Sequence, residues 1–220
     1  DYCITVGHIA MGPFEMCGNM RGYENFLVDL YADPGFAQAL LDKNLENTIG
    51  FWDVYLSEVG DYVDVICQGD DLGTQKGPWI SPKMYREWIK PRHKALFDFI
   101  RSKTQAKIFL HSCGSVYDLI PDLIEVGVDA LSPVQVTAAK MDLARLKNDF
   151  GKDICFWGGG VDTQYLLPTG NVQQLRDHVK SVMELMAPGG GFVWVPVHNI
   201  QSDIPPEKID AIYQAALEFR

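Results

Sequence analysis

His111-Ser112-Cys113-Gly114 sets an imidazole and a thiol two positions apart. The run Ala106-Lys107-Ile108-Phe109-Leu110 before them reads as a short buried strand, and Val116–Val126 after them reads as an amphipathic helix. At the C-terminal end of a strand, side chains two apart leave on the same face. The pair therefore has the form of half a zinc site, and zinc makes a thiol a nucleophile at neutral pH. The plain alternative is a buried His bonded to backbone beside a core Cys. Catalytic zinc keeps three protein ligands and one open position, so a third ligand must come from another strand end. His198, in Trp194-Val195-Pro196-Val197-His198-Asn199, follows the last strand and is placed for that role. His8, after the first strand, is the second candidate, whereas His93 and His178 fall inside helices and are expected at the surface.

Gly69-Asp70-Asp71-Leu72-Gly73-Thr74-Gln75 is the second constellation. Adjacent carboxylates at a strand end can hold a substrate amine or hydroxyl, or act as general acid or base, so Asp70 and Asp71 are candidate catalytic residues. For either one alone, an Asx turn with a helix cap is the competing reading. Gln75 adds a substrate-binding amide to the same loop. Gln135, Trp157, Asp162 and Asn199 end or follow other strands and extend that binding set. Gly158-Gly159-Gly160 lacks the G-x-G-x-x-G spacing and the P-loop Lys, so it reads as a tight turn that brings backbone close to a ligand. Asp162 and Gln164 then face the pocket or cap the next helix.

The elements that position these groups alternate. Strands are expected at Tyr2–Gly7, Tyr62–Gln68, Lys107–His111, Ala130–Val134, Ile154–Trp157 and Phe192–Val197. Several lack polar alternation, as strands buried on both faces do. Helices are expected at Pro34–Val59, Pro82–Ser102 with a break at Pro91, Val116–Val126, Met141–Phe150, Val172–Met186 and Pro205–Phe219. Such alternation means a parallel sheet with right-handed crossovers. Functional residues after many different strands favour a (β/α)8 barrel over a doubly wound sheet, which gathers them at one switch point. Six strands, and a start without Met inside a strand, lead us to expect an N-terminally truncated piece of a longer protein.

Composition narrows the function. The 220 residues suffice for one large domain, and 47% apolar with 22% charged is ordinary for a globular protein. A net charge of −10 leaves no basic stripe for nucleic acid. No apolar run is long enough to span a bilayer. Five scattered cysteines without a CxxC pair fit a reducing, cytoplasmic setting.

Gly69–Gln75, Ile80-Ser81-Pro82-Lys83-Met84-Tyr85, Lys90-Pro91, His111–Gly114, Gly158-Gly159-Gly160-Val161-Asp162-Thr163 and the helix start Ile204-Pro205-Pro206-Glu207 agree in order with one family. Arg21-Gly22-Tyr23-Glu24 adds to the match. The chain resembles the uroporphyrinogen decarboxylase superfamily, which includes the methylcobalamin:coenzyme M methyltransferases. The resemblance implies a (β/α)8 TIM barrel with its pocket at the C-terminal face, of which residues 1–220 are a single domain forming the C-terminal roughly two-thirds. It also implies a choice between two chemistries. The decarboxylases use no metal, bind the porphyrinogen with an Asp and an N-terminal Arg-rich segment that would lie before residue 1, lack the His-x-Cys, and carry Asp-Trp after the strand that here reads Ala130-Leu131-Ser132-Pro133-Val134-Gln135. The methyltransferases hold zinc through the His-x-Cys and usually a Cys near the last strand, where this chain has His198. The resemblance thus points to a zinc-dependent methyltransferase with His111, Cys113 and His198 on the metal, working with a small methyl donor or acceptor and a corrinoid carried by a partner protein. A homodimer is an allowed assembly. Decarboxylation of a tetrapyrrole carboxylate is the enzymatic alternative, and a catalytically silent barrel that binds a corrinoid protein or small ligand is the other.

Overall fold

In the computed structural model, which describes residues 2–220 apart from the side chains of His8 and Ile9, six short strands build one parallel sheet in chain order. They are β1 (Thr5–Met11), β2 (Val65–Gly69), β3 (Lys107–His111), β4 (Ala130–Ser132), β5 (Cys155–Trp157) and β6 (Phe192–Val193). Each pairs in parallel with its successor, and the strand order never reverses. Sequential order without a switch point is the arrangement of a TIM-type barrel. Among the described residues β1 and β6 are the edges of this sheet.

Alternation along each strand sorts residues between two faces. On β3, Ile108 and Leu110 join the large core under the helices, while Phe109 joins a small cluster with Val65 and Ala130 on the other face. Cys67, Cys155 and Trp157 pack on that same inner cluster. His111 lies two residues beyond Phe109 and so shares its face.

The helices cover the outer face: α1 (Pro13–Arg21), α2 (Tyr23–Ala32), α3 (Pro34–Val59), α4 (Pro82–Met84), α5 (Lys90–Lys103), α6 (Ile120–Glu125), α7 (Leu143–Phe150), α8 (Leu166–Thr169), α9 (Val172–Met186) and α10 (Pro206–Glu218). The bounds of α3 and α9 are those expected, because each start is chemically marked. Asp33 accepts the N–H of Phe36 ahead of Pro34, and Asn171 and Gln174 form a reciprocal capping box. The expected break near Pro91 takes the form of a π-helical turn, Tyr85–Ile89, inserted before α5. Helices α1 and α2 were not expected. Gly12, Gly18 and Gly22 punctuate their sequence as a loop would. Strand β4 ends at Ser132 and β6 at Val193; beyond them Pro133 and Val195–Val197 line a cavity, while Val134 packs in the core.

Candidate metal centre

The β2–β3 ladder pairs Gly69 with His111. Two residues further along both strands, Asp71 meets Cys113. The Cys113 backbone N–H donates to Asp71 Oδ1 at 2.8 Å. His111 Nε2 lies 3.4 Å from Cys113 Sγ and 3.9 Å from Asp71 Oδ1. Ligand atoms of Asp71, His111 and Cys113 all fall within 4.8 Å of one another. Ser112, between them in sequence, turns the other way, and its buried hydroxyl accepts the N–H of Leu72 at 2.9 Å. Two glycines permit this contact of loops. A Cβ at Gly73 would stand 2.5 Å from the Cys113 carbonyl, and one at Gly114, where φ is +84°, would stand 2.5 Å from Gly73.

The third member of this cluster is Asp71, where sequence reading placed His198. Asp71 joins the cluster because β2 is hydrogen-bonded to β3, and His198 follows β6. His198 instead lines the wall of the cavity that His111 enters. The side chain of the other candidate, His8, lies outside what the structure describes.

The two acidic neighbours part company. Asp70 is fully buried and its carboxylate is engaged. It accepts the N–H groups of Glu15 at 2.7 Å and Phe14 at 3.3 Å, so it caps the start of α1. It also lies 2.8 Å from His93 Nε2, and His93 Nδ1 lies 3.0 Å from the Tyr85 hydroxyl. His93 was expected at the surface, yet it is fully buried on the stripe with Leu96, Phe97 and Ile100. His178 is also half-buried, and burial lowers its imidazole pKa. Asp162 serves its own turn: its carboxylate accepts the N–H groups of Gln164, Tyr165 and Leu166. Gln75 is exposed and lines neither of the cavities below. The close approach at Gly160 is to the Trp194 indole, 2.5 Å from where a Cβ would sit.

Capping by Asp70 brings in Glu15, which the sequence did not single out although it stands only four residues past β1. Its carboxylate accepts the Asp71 N–H at 3.3 Å. Burial first, then Asp71 and Asp70, raise its pKa. Burial, reinforced by Asp71 and Glu15, pushes the Cys113 thiol up to about 12. Burial and these two acidic neighbours all favour the protonated thiol. The donor set of one thiol, one imidazole and one carboxylate suits zinc. Tetrahedral zinc with bonds of roughly 2.1–2.3 Å spaces its ligands about 3.6 Å apart, a value bracketed by the 3.4 and 3.9 Å separations here.

Beside the cluster is an open cavity of about 690 Å³. His111, Ser132, Trp157, His198, Asn199 and Tyr213 are among its walls. Trp157 stands edge-on to Phe109, with centroids 5.2 Å apart. A smaller lobe of about 270 Å³ shares Pro133, Val197, His198 and Asn199 with it and adds Gln135. Gln135 also accepts the Gly114 N–H at 2.7 Å. No Lys or Arg lines either space.

The profile of the family described as uroporphyrinogen decarboxylase (URO-D) matches residues 3–219. The chain belongs to the uroporphyrinogen decarboxylase family. Within it, a methylcobamide:CoM methyltransferase, MtaA, of Methanosarcina barkeri is 22% identical over 94% of this chain and 56% of its own length. A methylated-thiol–coenzyme M methyltransferase of Methanosarcina mazei is 22% identical over 82% of this chain and 45% of its own. A uroporphyrinogen decarboxylase of Bacillus cereus is also 22% identical, over 87% of this chain and 50% of its own. The chain thus spans about half the length of the curated relatives it matches. Among solved structures, a methyltransferase from Methanosarcina mazei superposes with a TM-score of 0.76 at 22% identity, covering 100% of this chain and 59% of that one. At such identity the superposition establishes the fold. Among the described residues no helix is long and apolar enough to cross a membrane.

Proposed function

We propose that this uroporphyrinogen decarboxylase-family chain works as a zinc-dependent methyltransferase, moving a methyl group between a small substrate and a corrinoid held by a partner protein. The observation that carries the reading is the convergence of Asp71, His111 and Cys113 at the C-terminal strand ends. These three residues would hold the metal. When bound, zinc supplies Lewis acidity that lowers the pKa of a thiol or hydroxyl acceptor, or polarises an ether oxygen.

The chain's own residues do the rest. Glu15 holds the Asp71 loop through the Asp71 N–H, and Asp71 holds the Cys113 backbone in turn. Trp157 and Tyr213 supply flat apolar wall for a small substrate, and His198 and Asn199 supply hydrogen-bonding groups in the same cavity. Asp70 caps α1, and Asp71 stands at the metal cluster.

The Bacillus relative carries the competing reading, decarboxylation of a tetrapyrrole carboxylate. A polyanionic porphyrinogen requires cationic side chains to hold it; among the described residues no Lys or Arg lines either cavity, and this chain spans 50% of that relative's length. Elemental analysis tests the proposal. The purified protein should carry about one zinc per chain, and Cys113→Ala should carry almost none. Wild-type protein that stays metal-free after incubation with excess zinc would overturn it.

A further inference from the structure

The polar groups of the smaller lobe are, His198 apart, uncharged amides and a hydroxyl, set beside the apolar walls of Pro133 and Val197. Gln135, Thr163, Gln164, Asn199 and Gln201 line it, with His198 at the boundary to the main cavity. Several of these groups are already oriented. Gln135 Oε1 is taken by the Gly114 N–H, which leaves its NH2 to donate. Gln201 Nε2 donates to the Asn199 carbonyl at 3.1 Å, which leaves Gln201 Oε1 to accept. Such walls pair well with a neutral group that donates and accepts at once. They pair poorly with a carboxylate, which would lose its hydration without a cation in return. At about 270 Å³ the lobe is smaller than ordinary ligand pockets and suits an appendage rather than a ring.

From this lining we infer that the lobe is a carboxamide-binding subsite, filled by the side arms of the corrinoid when it approaches the cavity. A corrin ring carries carboxamide arms, whereas a porphyrinogen carries carboxylates. The same lobe would therefore separate the two tetrapyrrole classes. This inference rests on the methyltransferase reading for its source of amides.

Equilibrium dialysis of the purified protein tests it without turnover. The probes are cobinamide, whose arms are amides, the corresponding corrin heptacarboxylate, and free propionamide. Wild-type protein should prefer cobinamide over the heptacarboxylate by at least about tenfold, the factor that about 1.4 kcal/mol gives. The double variant Gln164→Lys with Gln201→Lys should shrink or invert that ratio, an outcome that general misfolding does not produce. Equal binding of both corrinoids, or a ratio unchanged in the lysine variant, would overturn the assignment. Propionamide that binds as tightly as cobinamide would assign the lobe to a small amide substrate and overturn the corrinoid source. The functional reading fails separately: amide preference without methyl transfer leaves the subsite standing and removes the reaction, and methyl transfer without amide preference does the reverse.

Discussion

The backbone N–H of Cys113 donates to Asp71 Oδ1 across 2.8 Å, so one carboxylate ties the loop after β2 to the loop after β3. The same loop alignment brings the Asp71 carboxylate beside His111 Nε2. Asp70, one residue earlier, points away from this centre and into the packing of α1 and α5.

Substituting the two acids should therefore give opposite results. Asp71→Asn keeps an acceptor for the Cys113 N–H but loses the charge. Zinc affinity should fall at least about tenfold, with little change in Tm. Asp70→Ala breaks a fully buried pair and removes a helix cap. It should cost about 3–5 kcal/mol, or about 6–20 °C in Tm for a chain of this size. Competitive chelator titration and thermal melts on the two variants decide the matter, and a reversed pattern would show the roles to be exchanged.

Much of this was legible in the chain. Pro34 and Asp33, or Asn171 and Gln174, mark helix starts by chemistry that acts within one turn. All six strands were readable from apolar runs. The order of Asp70 and Asp71 was not readable, because adjacent residues of a strand end face opposite ways and sequence does not say which faces inward. Gln68, bonded to Trp52 of α3, fixes that phase in the structure. The burial of His93 was readable in principle, since Ile89, His93, Leu96, Phe97 and Ile100 fall at helical spacing. Asp71 was not readable as a candidate ligand, because the β2–β3 pairing that sets it beside Cys113 is a tertiary contact; His198 shares the cavity that His111 lines.

His198→Ala offers a direct contest between Asp71 and His198 as third ligand. Because His198 belongs to the cavity wall, the variant should retain about one zinc per chain while its KM for the small substrate rises. Zinc loss as complete as that of Cys113→Ala would restore His198 as the third ligand in place of Asp71.

Gly114→Ala should damage the centre without removing any ligand. The position has φ of +84°, and an added Cβ would press on Gly73 at 2.5 Å. Strain and displacement together should cost at least about 2 kcal/mol, lowering Tm by roughly 4–8 °C. Zinc affinity should fall as the loops separate. A variant with unchanged Tm and zinc affinity would show that the loops need no glycine there.

Metal binding should depend on pH in a defined direction. Burial and the neighbouring Asp71 and Glu15 push the Cys113 thiol up to about 12, so the metal-free thiol is protonated at neutral pH. Zinc must displace that proton, and affinity should rise with pH, by about tenfold per unit between roughly pH 7 and 9 if one proton is released. Cys113→Ser should flatten the slope and weaken binding throughout. A wild-type affinity that is flat across this range would place the thiol outside the metal shell.

Turnover of one preparation on two substrates bears most directly on the central claim. Methylcobalamin with a small thiol, and uroporphyrinogen, are each assayed with chelator and again after zinc is restored. Methyl transfer should vanish with chelator, return with zinc, and be absent in Cys113→Ala, while uroporphyrinogen is left unchanged. Uroporphyrinogen decarboxylated at an enzymatic rate in the presence of chelator, with no zinc-dependent methyl transfer, would contradict the account.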